Sequence, residues 1–133
     1  RVVAHLKNYT VRGVTLDKFN GWPIATHLDT NFFRGKDFVR AITWNRYTCS
    51  PPMKYLQSMV KNGLIELYKN PLLEWEFDNL MVEVDSKVYI FANKKMSKNK
   101  IDGVVALILA VDAYLNDLHR DQQKLMEFDI IEL

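Results

Sequence analysis

The segment Lys94–Tyr114, KKMSKNKIDGVVALILAVDAY, places a carboxylate beside several lysines. Asp102 stands between a basic loop and an apolar run. Carboxylates hold divalent cations and lysines neutralise phosphates, so this pattern suggests metal-ion chemistry on a polyanion. Two simpler interpretations stay open, a favourable first-turn residue for Asp102 and a solvated turn for the loop. The lysines fall within seven acid-free residues and are Lys94, Lys95, Lys98 and Lys100.

The residues that follow Asp102 predict a helix. Every residue from Val104 to Val111 is apolar, which is typical of a helix buried on nearly all sides. Ser97 or Asn99 is expected to cap it, and Asp102 then lies in the first turn, where the helix dipole favours an anion. Small side chains leave room for close packing against a sheet at Ala106, Ala110 and Ala113.

The same segment resembles the end of the nuclease domain of large terminase subunits, the motors that package DNA into tailed-phage heads. In that family a lysine-rich loop leads into a helix that reads Lys-Ile-Asp-Gly-Val-Val-Ala-Leu-Ile, as residues 100–108 do here. Thr48–Asp85 is similar to the family's Ser-Pro-Pro turn, Gly-Leu step and Asn-Pro-Leu-Leu-x-Trp segment. Val11–Asn20 resembles the family strand that ends in an aspartate, a basic residue and an aromatic residue. The resemblance covers about residues 1–120.

This resemblance implies a ribonuclease H-like fold in which three acidic residues hold two ions of Mg²⁺ or Mn²⁺ and cut DNA concatemers during packaging. Carried over by position, Asp17 and Asp102 match two of these catalytic metal ligands. The family's first aspartate lies on an opening strand, and residues 1–16 contain no Asp or Glu. We therefore interpret the chain as an N-terminally truncated member. A catalytically silent remnant that binds DNA or a partner stays open as the alternative.

Double-stranded DNA is the expected partner, with the small terminase subunit and the portal protein as further partners of the full-length protein. A net charge of +2 gives no general attraction for nucleic acid, so the four lysines are the expected DNA contacts. A single cysteine, no signal peptide and no long apolar span predict no membrane partner and a location in the bacterial cytoplasm. No GxxxxGK[ST] loop occurs, so ATP hydrolysis is not assigned.

The surrounding pattern predicts an α/β fold with a mixed sheet flanked by helices. With 133 residues and 48% hydrophobic content, residues 1–133 are expected to form a single domain. Asp112 and Asp117, late in the last helix, are expected to face solvent. The predicted elements are parallel strands over 11–17 and 38–44, a connecting helix over 22–30 capped by Asn20, a helix from Ser50 to Gly63, a short helix from Asn70-Pro71, and a β-hairpin of 80–84 and 88–92 before the last helix.

Overall fold

The computed structural model describes residues 4, 7–34 and 36–131. No helix in these ranges is long and apolar enough to cross a membrane. Short strands and helices are interspersed along the chain, which confirms the predicted α/β class. In chain order the elements are β1 (Val14–Asp17), α1 (Lys18–Asn31), β2 (Val39–Ile42), α2 (Arg46–Lys61), α3 (Pro71–Asn79), β3 (Val82–Val84), β4 (Ile90–Ala92) and α4 (Asp102–Ile131).

The described strands pair as two small sheets, one parallel and one antiparallel, where a single mixed sheet was predicted. Strands β1 and β2 are parallel, with Val14 opposite Val39 and Asp17 opposite Ile42. Strands β3 and β4 are antiparallel, with Glu83 opposite Phe91. The parallel pair with helix α1 as its crossover, and the hairpin before the last helix, are therefore confirmed.

The first half of α4 lies at the centre of the main core. It is not buried on nearly all sides as predicted, since Ala106 and Ala110 are exposed. Ala113 does provide close packing, because a methyl group added to Gly13 of the segment before β1 would lie 3.2 Å from the Ala113 carbonyl oxygen. The core side chains come from α2, β4, α4 and the residue before α4, and are Cys49, Met53, Leu56, Ala92, Ile101, Val104, Val105, Ile108 and Val111.

The middle of α4 is joined to the parallel sheet and to the segment before β1 by polar contacts, which we call the polar seam. The hydroxyl of Thr15 donates to Asp112 at 2.8 Å, and Nε of Arg40 lies 3.7 Å from the same carboxylate. Arg12 pairs with Asp117 at 3.0 Å. The prediction that Asp112 and Asp117 face solvent is wrong, because Asp112 binds Thr15 of β1 and is only 8% exposed, and Asp117 pairs with Arg12 of the segment before β1.

Helix α1 begins earlier than predicted. Its cap is Asp17, whose carboxylate accepts a hydrogen bond from the Phe19 N–H at 3.1 Å. Asn20, the predicted cap, lies inside the helix. Asp17 caps the helix because it ends β1 in extended backbone and is followed directly by Lys18, the first helical residue. Strand and helix therefore share one boundary residue.

Helix α2 also begins earlier, with Asn45 as its cap in place of Ser50. The Asn45 side chain accepts from the N–H of Thr48, whose hydroxyl accepts from the Asn45 N–H, forming a capping box. Ser50 is buried instead, and its hydroxyl accepts from the Ile90 N–H at 3.1 Å. Two predicted boundaries are confirmed: α2 ends just before Gly63, and Asn70 caps α3.

Candidate active site at the carboxyl end of β1

Asp17 ends β1 at the position where parallel sheets usually place their ligand chemistry. Its side chain lines a surface cavity of about 500 Å³, which we call the strand-end cavity. The lining comes from the ends of β1 and β2, the first turn of α1 and the loop after β4. Its residues are Asp17, Lys18, Phe19, Thr43, Trp44 and Lys94.

Both carboxylate oxygens of Asp17 have hydrogen-bond donors. Oδ1 accepts from the Phe19 N–H, and Oδ2 accepts from Nζ of Lys94 at 2.8 Å. The same ammonium lies 4.4 Å from the centre of the Trp44 ring, a cation–π distance. The Trp44 indole N–H in turn donates to the carbonyl of Ala92 at 3.1 Å. These contacts connect the ends of the two sheets across the cavity.

The pKa of Asp17 lies below its ordinary value. Partial burial raises the pKa of this carboxyl, but the hydrogen bond from Lys94, the Phe19 N–H and the positive charge of Lys94 together outweigh it. Asp17 is therefore an anion at neutral pH. Because its pKa is lowered by folding, its contribution to stability is present above the ordinary carboxyl range and is lost as the pH falls through the lowered pKa.

Asp102 is the first residue of α4 and is exposed. In the polar seam, Arg12 before β1 contacts Asp117 and Thr15 within β1 contacts Asp112, so α4 runs antiparallel to β1. Measured along the chain axis from the contact of Thr15 with Asp112, Asp17 lies about 7 Å farther along the strand and Asp102 about 15 Å farther along the helix. The two predicted site residues therefore lie toward the same end of the molecule, offset by about 8 Å along the helix.

A further carboxylate, which the sequence analysis missed, holds the start of α4. Glu76 of α3 is 6% exposed, and its Oε2 accepts from the Val104 N–H at 3.0 Å. A methyl group on Gly103 would lie 2.7 Å from that oxygen. In the sequence, Gly103 is the feature that indicates this contact, because a glycine in the first turn of a helix often marks a place where another group lies close to the backbone. Glu76 thus fixes the backbone that carries Asp102.

The predicted caps of α4 are wrong, because Ser97 and Asn99 bond elsewhere. The Ser97 hydroxyl donates to the Asn93 carbonyl at 2.7 Å and accepts from the Met81 N–H. The Asn99 amide donates to Asn79 at 3.3 Å. These bonds tie the segment Lys94–Lys100, the lysine loop, to α3 and the hairpin.

The structure divides the four lysines of this loop into two groups. Lys94 pairs with Asp17 and lines the strand-end cavity. The side chains of Lys95, Lys98 and Lys100 are exposed. Lys94 therefore belongs to the candidate active site. The other three lysines are exposed and follow it in the same loop.

The two predicted metal ligands carry the donor type that a divalent-metal site needs. Carboxylate oxygens are the donors that Mg²⁺ and Mn²⁺ prefer, and Asp17 and Asp102 supply them at one end of the molecule. Within residues 7–34 and 36–128, no three His, Cys, Asp or Glu side chains group so as to hold a metal ion. Asp17 and Asp102 therefore match the donor chemistry, and a further carboxylate is needed to complete the set.

Comparisons with known proteins agree with this fold. The family model for the terminase large subunit, endonuclease domain, matches residues 2–117. Protein YmfN of Escherichia coli (strain K12) is 33% identical over 72 residues, which are 53% of this chain and 16% of YmfN. The crystal structure of the HK97 bacteriophage large terminase has a TM-score of 0.70 at 18% identity, over 84% of this chain and 23% of that one. The chain thus spans less than a quarter of either protein. The similarity to the HK97 terminase structure confirms the ribonuclease H-like fold.

Replacing Lys94 with Met is expected to raise the pKa of Asp17, because a hydrogen bond and a positive charge are lost while most of the side-chain stem is kept. Carboxyl-carbon NMR titration measures this pKa directly. Lys95→Met is the matched control from the same loop and should leave the Asp17 pKa unchanged. The same Asp17 pKa in wild type and K94M would contradict the ion pair.

Replacing Glu76 with Ala is expected to lower the free energy of unfolding by about 1–3 kcal/mol, because the Val104 N–H loses its acceptor in a buried position. Denaturant unfolding followed by circular dichroism gives the value. Glu66→Ala, an exposed glutamate in the segment before α3, should change stability by less than about 0.5 kcal/mol. Equally small losses in both variants would show that Glu76 does not hold α4.

Proposed function

This chain belongs to the family of terminase large subunit endonuclease domains, and we propose that it cuts concatemeric phage or prophage DNA with divalent metal ions. One observation carries the proposal: Asp17 lines an open cavity at the carboxyl end of a parallel strand, and antiparallel packing of α4 brings Asp102 toward the same end. We further propose that residues 1–133 form one domain and that it acts in the bacterial cytoplasm with the small terminase subunit and the portal protein.

Asp17 and Asp102 would hold Mg²⁺ or Mn²⁺, together with a further acidic ligand from the longer protein. Bound ions would supply an acidified water and stabilise the leaving oxygen of the phosphodiester. Lys94 neutralises Asp17 when no ion is present, so a metal must compete with its ammonium for that carboxylate. Glu76 positions Asp102 by fixing the first turn of α4.

The lysine loop is proposed to bind the phosphate backbone of double-stranded DNA. Lys95, Lys98 and Lys100 are exposed beside the cavity-lining Lys94 in the chain, so a strand held by them would run close to the candidate active site. Phosphate contacts of this kind position DNA without reading its sequence. Cut-site choice would then depend on other parts of the full-length protein.

Asp17→Asn and Asp102→Asn are each expected to slow Mn²⁺-dependent plasmid nicking by the natural full-length protein about 100-fold, about 2.7 kcal/mol of transition-state stabilisation. Each change removes a charged ligand and nearly preserves shape. Asp29→Asn, at an exposed aspartate late in α1, is the matched control and should cut as wild type does. Unchanged cutting by D17N or D102N would show that the assigned ligands are wrong. Binding of DNA without any cutting would favour the catalytically silent alternative.

Replacing Lys95, Lys98 and Lys100 together with Ala is expected to weaken duplex binding and flatten its dependence on salt. The slope of log K against log salt should fall by up to about 0.9 for each lost phosphate contact. Fluorescence anisotropy over a salt series gives this slope. The charge-matched control replaces three other exposed lysines, Lys54, Lys61 and Lys69. An equal change of slope in both variants would show that the lysine loop has no special role.

A further inference from the structure

Two aromatic side chains are exposed on the first turns of α1, directly after Asp17. Phe19 is 89% exposed and Trp22 is 56% exposed. They are three residues apart on a helix and therefore share a face. Large apolar side chains grouped in solvent commonly mark a binding surface. We call Phe19 and Trp22 the aromatic pair.

The aromatic pair is held in a fixed relation to the candidate active site. The N–H of Phe19 donates to Asp17 at 3.1 Å, so a hydrogen bond joins the backbone of Phe19 directly to the carboxylate. Phe19 also lines the strand-end cavity. Nζ of Lys18 lies 5.4 Å from the centre of the Trp22 ring. The surface thus combines flat apolar rings with the positive charge of Lys18, whereas the charge of Lys94 is balanced by its pairing with Asp17.

This combination matches the chemistry of a nucleotide. The Lys18 ammonium complements a phosphate, and an aromatic ring presents a flat face on which a nucleobase stacks. In an intact duplex the bases are stacked on each other and offer only their edges in the grooves. A ring outside the duplex can therefore stack only on a base that is unpaired, flipped out or at an end.

We propose that Phe19, supported by Trp22, stacks on an unpaired base next to the phosphodiester that lies in the strand-end cavity. This rests on the proposed function, because it assumes that the chain acts on DNA. It adds a preference that the metal ligands cannot supply: locally opened DNA is bound more tightly than perfect duplex. The exposed rings then have a ligand, and the hydrogen bond from Phe19 to Asp17 sets the stacked base beside the reacting phosphate.

Stacking has a signature that separates it from phosphate binding. Loss of one base–aromatic stack weakens binding about 5- to 150-fold. Stacking releases no counterions, so the salt dependence of binding should stay unchanged. Loss of a lysine contact does the reverse and flattens the salt dependence. Affinity and salt slope, measured together, therefore identify which contact a variant has lost.

The test measures anisotropy of two labelled duplexes, one perfect and one with a central mismatched pair, on the full-length protein in Ca²⁺ to prevent cutting. Phe19→Ala is expected to weaken binding to the mismatched duplex about 5- to 150-fold, with its salt slope and the affinity for perfect duplex nearly unchanged. Phe19→Leu keeps an apolar side chain without a ring and should lose as much. Phe19→Trp keeps an aromatic ring and should bind the mismatched duplex as wild type does. Tyr68→Ala, at a 92% exposed ring that does not line the cavity, is the matched control and should bind both duplexes as wild type does.

Several outcomes would overturn the proposal. Wild-type affinity of F19A for the mismatched duplex, or equal losses for both duplexes, would show that Phe19 does not stack on an unpaired base. Full affinity of F19L would show an apolar contact without stacking. Failure of the wild-type protein to bind either duplex would overturn the proposed function itself, whereas nicking with normal F19A binding would overturn this inference alone.

Discussion

Burial against α4 is the constraint on which the rest of the structure depends. Each sheet in the described part of the chain has two strands, and an isolated two-stranded sheet is marginally stable at best in water. The hairpin therefore packs on α2, α2 packs on the first half of α4, and β1 packs on α4 near Asp112. Helix α4 thus supports the parallel sheet directly and the hairpin through α2, and this packing places the strand ends that line the strand-end cavity.

Energies indicate that packing, and not the ion pair across the cavity, holds the two sheets in place. Each fully buried Val or Ile of α4 contributes about 1.5–3 kcal/mol, and several of them lie in the core. The pair of Lys94 with Asp17 is partly exposed, with side chains 38% and 27% accessible, so its contribution is at most about 1 kcal/mol. The pair can therefore open at little cost to the fold. That suits a carboxylate whose proposed partner is a metal ion.

Local signals in the sequence were sufficient for much of the fold. Asn70-Pro71, Gly63 and the hairpin are specified by residues next to the boundaries they set, and the parallel pair followed from the order of elements. The predicted starts of α1 and α2 were wrong because each helix has two candidate capping residues. The sequence does not show which of their side chains packs inward. Asp112 and Glu76 were missed because their partners, Thr15 and Val104, lie 97 and 28 residues away. For the same reason, the sequence placed Lys94 with the DNA contacts and could not show its pairing with Asp17.

Binding of divalent metal at the carboxyl end of β1 is measured most directly by anomalous diffraction at the manganese edge from crystals of the full-length protein soaked in Mn²⁺. If metal binds there, we expect an anomalous peak about 2.1 Å from a carboxylate oxygen of Asp17, with the Lys94 ammonium displaced from that oxygen and the Asp102 carboxylate turned toward the same site. A map without a peak at Asp17, in which Lys94 still lies 2.8 Å from the carboxylate as it does here, would contradict it.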